Sequence, residues 1–139
     1  MNKVQTNIEG VEDVAMFAME HLGIDGVTLC ISQNYKFLRR LSSDNCEYDA
    51  LLYKSPLEKT YNLVVRDERP KLNVICHECV HLKQYEDGRL SIDPETGAAI
   101  WEGEHFSNYT NYVKRPWERE AFDMDFKVAR EYRKKRHIW

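Results

Sequence analysis

The sequence predicts a single α+β domain spanning residues 1–139, and three observations point to it. A chain of 139 residues suits one domain and can bury a core without disulfide or metal staples. Helical and strand-like apolar periodicities alternate along it, with no internal repeat, low-complexity stretch or linker between them. Its composition, 42% hydrophobic and 31% charged, is that of an ordinary soluble globular protein.

The elements follow in chain order. In "EGVEDVAMFAMEHLG", Val11, Val14, Ala15, Ala18, Met19 and Leu22 recur at helical spacing, and Gly23 is placed to stop the helix. "GVTLCIS" is β-branched and apolar and predicts a strand. "QNYKFLRRLSSDN" is mixed and reads as a loop or a helical turn. "CEYDALLYKS" and "TYNLVVRD" predict two strands separated by Pro56. In "RPKLNVICHECVHLKQYEDG", Pro70 is suited to opening a helix, because its missing N–H falls among the unpaired first-turn donors. Leu72, Ile75, Cys76, Cys79, Val80 and Leu82 form the apolar side, and Gly88 ends it. "RLSID", a turn at "PETG" and "AAIWEGEHF" predict a hairpin. "SNYTNYVKR" is a polar, aromatic loop. "RPWEREAFDMDFKVAREYRKKRH" predicts a long helix opened by Pro116, with Phe122, Phe126 and Ala129 as its apolar stripe.

Charge and composition narrow the function. The formal net charge is -3 and the pI about 6.0, so no global basic field argues for nucleic acid. The basic run "REYRKKRHIW" suits the C-terminus of a helix. The first residues lack the apolar region of a signal peptide, and no apolar run approaches the roughly 20 residues of a membrane helix. A cytoplasmic protein with no membrane partner is expected. All four cysteines are then expected reduced, and counting alone leaves a Cys30–Cys46 pair as the alternative.

The chemistry concentrates in "HECVH". At about 3.6 residues per turn, His77 and His81 sit on one helical face, one above the other. Two imidazoles so placed can reach one metal ion. Glu78 lies about 100° further round the helix, beside that ion, where a carboxylate can accept a proton from a metal-activated water. Catalytic zinc sites usually have three protein ligands, so a third must come from elsewhere. Glu118 and Glu120 both lie in the first turns of the last helix, but residues two apart diverge by about 200°. Glu118 shares a side with Ala121 and Phe122 and is expected to face inward; Glu120 lies nearer the exposed side. His105, in a predicted strand, and His21 and His137, at helix ends, are weaker candidates.

HECVH followed by "RPWEREA" resembles the zincin metallopeptidases of the gluzincin kind, in which glutamate is the third ligand. The segment P-x-E-x-x-A at the head of the last helix is similar to that of the anthrax lethal factor catalytic domain and of small bacterial and phage-encoded HExxH peptidases. The resemblance covers roughly residues 70 to 125. It implies a minimal zincin-like domain, with a small mixed sheet and a C-terminal helix carrying the third ligand. It implies Zn2+ at His77, His81 and Glu118, Glu78 as general base, and a tyrosine before the third ligand that stabilises an oxyanion. Tyr112 precedes Glu118 by six residues and Tyr109 by nine. Lys83 departs from the family, which carries a hydrophobic residue there, and suggests a smaller, more open domain. The relatives place an edge strand along the cleft. "AAIWEGEHF" is the expected counterpart, with Trp101 and Tyr109 as substrate-binding candidates; a packed strand tryptophan is the other reading of Trp101.

The C-x-x-C within "CHEC" could be half of a zinc ribbon or a redox pair. A ribbon needs a second close pair, and a redox motif should open a helix, whereas this one lies within a helix. Cys76 and Cys79 are therefore expected to pack in the core. The expected function is zinc-dependent hydrolysis of peptide bonds in a peptide or protein substrate. The alternative is a zinc-binding, catalytically weak or inactive peptide-binding module, against which the glutamate beside the metal argues.

Overall fold

The computed structural model describes residues 1–41, 48–93 and 95–137. The elements run β1 (Lys3–Thr6), α1 (Val11–His21), β2 (Thr28–Gln33), α2 (Tyr35–Leu41), β3 (Ala50–Lys54), β4 (Thr60–Val65), α3 (Leu72–Glu86), β5 (Leu90–Ile92), β6 (Ala99–Trp101), β7 (Glu104–Phe106), a 3-10 turn (Tyr112–Lys114) and α4 (Pro116–Arg136). This is a small mixed α+β domain with two sheets.

The larger sheet has the order β1-β2-β4-β3. β1, β2 and β4 are parallel and β3 is an antiparallel edge strand. The pleat sorts the side chains. Leu29 and Ile31 of β2 and Tyr61, Leu63 and Val65 of β4 alternate onto one face, where register sets Leu29 beside Tyr61 and Ile31 beside Leu63. That face packs against Ala15, Ala18 and Met19 of α1, Ile75, Cys76, Cys79 and Leu82 of α3, and Val128 and Ala129 of α4. Nothing is left over for a cysteine site: Cys76 and Cys79 are fully buried free thiols. Burial pushes the Cys76 thiol up to about 12 and the Cys79 thiol higher still. Cys30 is also a free thiol; Cys46, and with it the Cys30–Cys46 alternative, lies outside the described residues.

Two glycines fix the helix ends. Gly23 and Gly88 both have left-handed backbones, φ 76° and 72°. After α1, the amides of Gly23 and Ile24 return to the carbonyls of Glu20 and Met19; after α3, those of Gly88 and Arg89 return to Tyr85 and Gln84. Each is a Schellman closure, which needs a residue at positive φ. Pro116 is the first residue of α4, as expected, but α3 begins at Leu72, so Pro70 stands just outside it.

The structure differs from the sequence reading in four further places. β1 is an additional strand; its burial pattern, two half-buried and two exposed residues, gives it little apolar signature. "QNYKFLRR" contains a real helix, α2. "AAIWEGEHF" is not one strand but two, turning at Glu102 and Gly103, both at positive φ (48° and 85°), the conformation a two-residue hairpin turn needs. The apolar stripe of α4 is also rotated. Trp117, Ala121, Val128, Ala129 and Tyr132 are buried together with Asp125, whereas Phe122 and Phe126 are more than half exposed. No described helix is long and apolar enough to cross a membrane.

Candidate metal centre

α3 and α4 pack against each other, and the head of α4 meets the middle of α3. His77 and His81 stand one turn apart on α3, nearly perpendicular, with ring centroids 4.8 Å apart. Glu118 reaches them from the first turn of α4: its Oε1 lies 2.9 Å from His77 Nε2 and 3.0 Å from His81 Nε2. One ligand atom from each of the three residues falls within a span of 4.8 Å. Tetrahedral bonds of about 2.0–2.1 Å would set ligands roughly 3.3–3.4 Å apart, so the two Glu118–histidine distances of 2.9 and 3.0 Å would open by a few tenths of an ångström around an ion. Both histidines are buried, at 8% and 7% exposure. Two imidazole nitrogens and a carboxylate oxygen are a donor set that a divalent ion takes; the group could hold one.

A second row of residues fixes the imidazoles. His77 Nδ1 lies 2.9 Å from Asp125 Oδ2, and His81 Nδ1 lies 2.8 Å from Gln84 Oε1. The Gln84 amide cannot turn round. Its Nε2 donates to the Trp117 carbonyl and to Glu120 Oε1, so its oxygen must face His81 and accept from Nδ1–H. That leaves Nε2 of His81 directed at Glu118. Glu120 is in turn held by a bidentate Arg89, at 2.8 and 2.6 Å. Such partners orient ligands and raise their basicity.

The electrostatics follow from this packing. Burial alone would raise the Glu118 carboxyl, but hydrogen bonds from His77 and His81 outweigh it and hold the group well below the usual range. Burial alone would lower His81, yet the Glu118 hydrogen bond and the nearby Glu78 charge raise it to about 9. His77 is raised on the same balance, with burial opposed by Glu118. Glu78 is pushed up by burial, against the pull of the two imidazoles.

The triad opens into a cleft of about 750 Å³. One wall is the edge strand β3, through Ala50, Leu51 and Leu52; another is the β5–β6 hairpin, through Leu90, Ile92 and Ala99. Glu78, Tyr112 and Phe122 border the triad inside it. Tyr112 Oη donates to Glu118 Oε1 at 2.9 Å, and Phe122 covers His77 at 4.5 Å between ring centroids.

The expected site residues therefore separate. His77, Glu78, His81, Glu118 and Tyr112 are brought together. Trp101 is not at the cleft: it is 5% exposed, packed beside Trp117 and under the Arg89 guanidinium. Tyr109 is 91% exposed and lines no part of the cleft. The edge strand β3 borders the cleft, and "AAIWEGEHF" reaches it through Ala99 but folds back on itself and gives its tryptophan to the small core under the hairpin. Glu120 serves the second row and no ligand position. His105, His21 and His137 are exposed and stand outside the triad. Sequence reasoning missed Gln84 and Asp125. Both carried a signal: Gln84 is three residues after His81 and Asp125 seven after Glu118, spacings that keep residues on one helical face. No protein-family model matches the chain, and neither a curated protein nor a solved structure matches it.

Proposed function

We propose that the protein is a zinc-dependent metallopeptidase of the gluzincin kind, with His77, His81 and Glu118 holding the ion and Glu78 acting as general base. The observation that carries this reading is the convergence of the two imidazoles and Glu118 from separate helices, at a cleft that Glu78 also lines. A structural site would be closed by a fourth protein ligand; among the described residues the group has three, and its open side faces the cleft. When bound, the ion supplies Lewis acidity, which lowers the pKa of a water and polarises a carbonyl.

The residues of the chain account for the rest. Glu78, whose carboxyl is raised by burial, accepts one proton from the attacking water. The water oxygen bonds to the scissile carbonyl carbon, the C–N bond breaks, and Glu78 returns the proton to the departing amine nitrogen. Tyr112, with its hydroxyl at the triad, donates a hydrogen bond to the developing oxyanion. Among the described residues no strand neighbours the outer edge of β3, so an extended peptide can pair with its backbone along the cleft.

The first test is metal content by mass spectrometry on protein purified without added metal, followed by a peptide-library cleavage screen. About one zinc per chain is expected, with loss in His81→Ala and Glu118→Ala. Glu78→Gln should keep the zinc and lose at least roughly a hundredfold in turnover. Zinc without turnover in the wild type would leave a peptide-binding module; no zinc after reconstitution would end the reading.

A further inference from the structure

Among the described residues that line the cleft, Arg115 is the only lysine or arginine. Its setting differs from that of three arginines elsewhere in the fold. Arg66, Arg89 and Arg136 each pair with a carboxylate. Arg115 instead gives its Nε–H to the Thr110 carbonyl at 3.1 Å and lays its guanidinium 5.5 Å from the centre of the Tyr112 ring. Its backbone is pinned where the 3-10 turn becomes α4: its amide donates to the Tyr112 carbonyl and its carbonyl accepts from Glu118. No carboxylate among the described residues pairs with it, and with Nε–H engaged, four N–H groups of its fork remain for a ligand in the cleft that Arg115 lines.

We propose that Arg115 is a specificity-determining residue that binds a carboxylate of the peptide substrate within about three residues of the scissile bond; this rests on the peptidase reading above. The reach follows from contacts already described. Tyr112 Oη touches Glu118 Oε1 at 2.9 Å and its ring carries the guanidinium, so the cation lies no more than about 11 Å from the triad, three residues of extended chain at roughly 3.3 Å each. The charge balance makes the recognition local. Every other charged side chain lining the cleft besides the two histidines, Asp49, Glu78, Glu118 and Asp125, is acidic. Away from the ion and its two histidines, Arg115 is the one basic side chain among the described cleft residues that a substrate carboxylate can meet, and its fork is shaped to receive it. Because stacking and the Nε bond already fix that fork, little side-chain freedom is lost on binding. The carboxylate has two sources, an Asp or Glu side chain or the C-terminus of the peptide.

The experiment uses Glu78→Gln protein loaded with zinc and immobilised. Degenerate nonapeptide pools, one with free and one with amidated C-termini, are passed over it, and the retained peptides are sequenced. A side-chain source enriches Asp and Glu roughly tenfold at one position; a C-terminal source favours the free pool by a similar factor. Arg115→Gln should abolish that preference while leaving other selected positions unchanged, and Arg115→Lys should restore part of it; should Arg115→Gln fail to fold, Arg115→Lys carries the comparison through reduced enrichment. Retained peptides with neither preference, or a preference that survives in Arg115→Gln, would overturn the assignment of Arg115 and leave the peptidase reading standing. Retention of no peptide by protein holding one zinc per chain would sink both.

Discussion

Gln84 is uncharged and lies outside the H-E-x-x-H motif, yet it decides how His81 is presented. Its amide nitrogen is engaged twice, by the Trp117 carbonyl and by Glu120, and its oxygen then has one direction left. Gln84→Leu keeps the bulk and removes the acceptor. Zinc affinity should fall about 10–100-fold, read by competition with a chromophoric chelator, while the circular dichroism spectrum is unchanged; unaltered affinity would show that His81 needs no such partner. Phe122 illustrates the same lesson from the apolar side. It is more than half exposed, so it adds little to the core, but its ring covers His77 and helps wall the cleft.

At the scale of elements, α4 has two jobs on one helix. Its first turns carry Glu118 and Trp117 to α3, and its last turns bind α1. There Asp13 accepts from Tyr132 and, bidentately, from Arg136. Hydrogen bonds from Arg136 and then Tyr132 lower the Asp13 carboxyl from 3.8 to about 2. A depressed folded-state pKa contributes stability above the unfolded value that is lost as pH falls through the folded one. Asp13 is half exposed, so solvent screening limits the tie to about 0.5–1 kcal/mol. The stability gap between wild type and Asp13→Asn in urea titrations should be full above pH 4 and close toward pH 2; a gap independent of pH would contradict this. The end of α3 makes a separate prediction. Gly88 has φ 72° with nothing within 4 Å of a built Cβ, so Gly88→Ala meets backbone strain and no clash. It should cost roughly 1–2 kcal/mol in chemical denaturation, and an unchanged midpoint would mean that the closure relaxes freely.

At the scale of the whole molecule, the triad joins helices that the chain keeps 41 residues apart, from His77 to Glu118. An ion bound there bridges α3 and α4 in the native state only, and so stabilises the fold by mass action. At a hundredfold excess over Kd the gain is about 2.7 kcal/mol, and for a domain of this size the melting temperature should rise by roughly 8 °C. Calorimetry with zinc and with a chelator checks this, and Glu118→Ala should abolish the difference. A melting temperature indifferent to zinc would mean that the ligands do not close around the ion. The core holds this arrangement in place: Ile75, Cys76 and Cys79 of α3 are buried in one cluster with Leu63 of the sheet, so α3 cannot rotate without opening the core.

The sequence by itself determined the α+β class, the two helices that carry the triad, the stops at Gly23 and Gly88, the burial of Cys76 and Cys79, and the pairing of His77 with His81. All of these are local: a helix repeats every 3.6 residues, and glycine tolerates positive φ wherever it stands. Choosing Glu118 over Glu120 was within reach because a helix separates neighbours by angle. Tertiary structure alone decided which face of α4 turned inward. The sequence pattern favoured Phe122 and Phe126, but burying Asp125 against His77 and Trp117 beneath the hairpin rotated the helix away from that stripe. It also decided that β3, the last strand in its sheet's order, borders the cleft, and that Trp101 belongs to a core. Strand order and side-chain pairing across helices depend on contacts between distant parts of the chain, and no periodicity along the sequence records them.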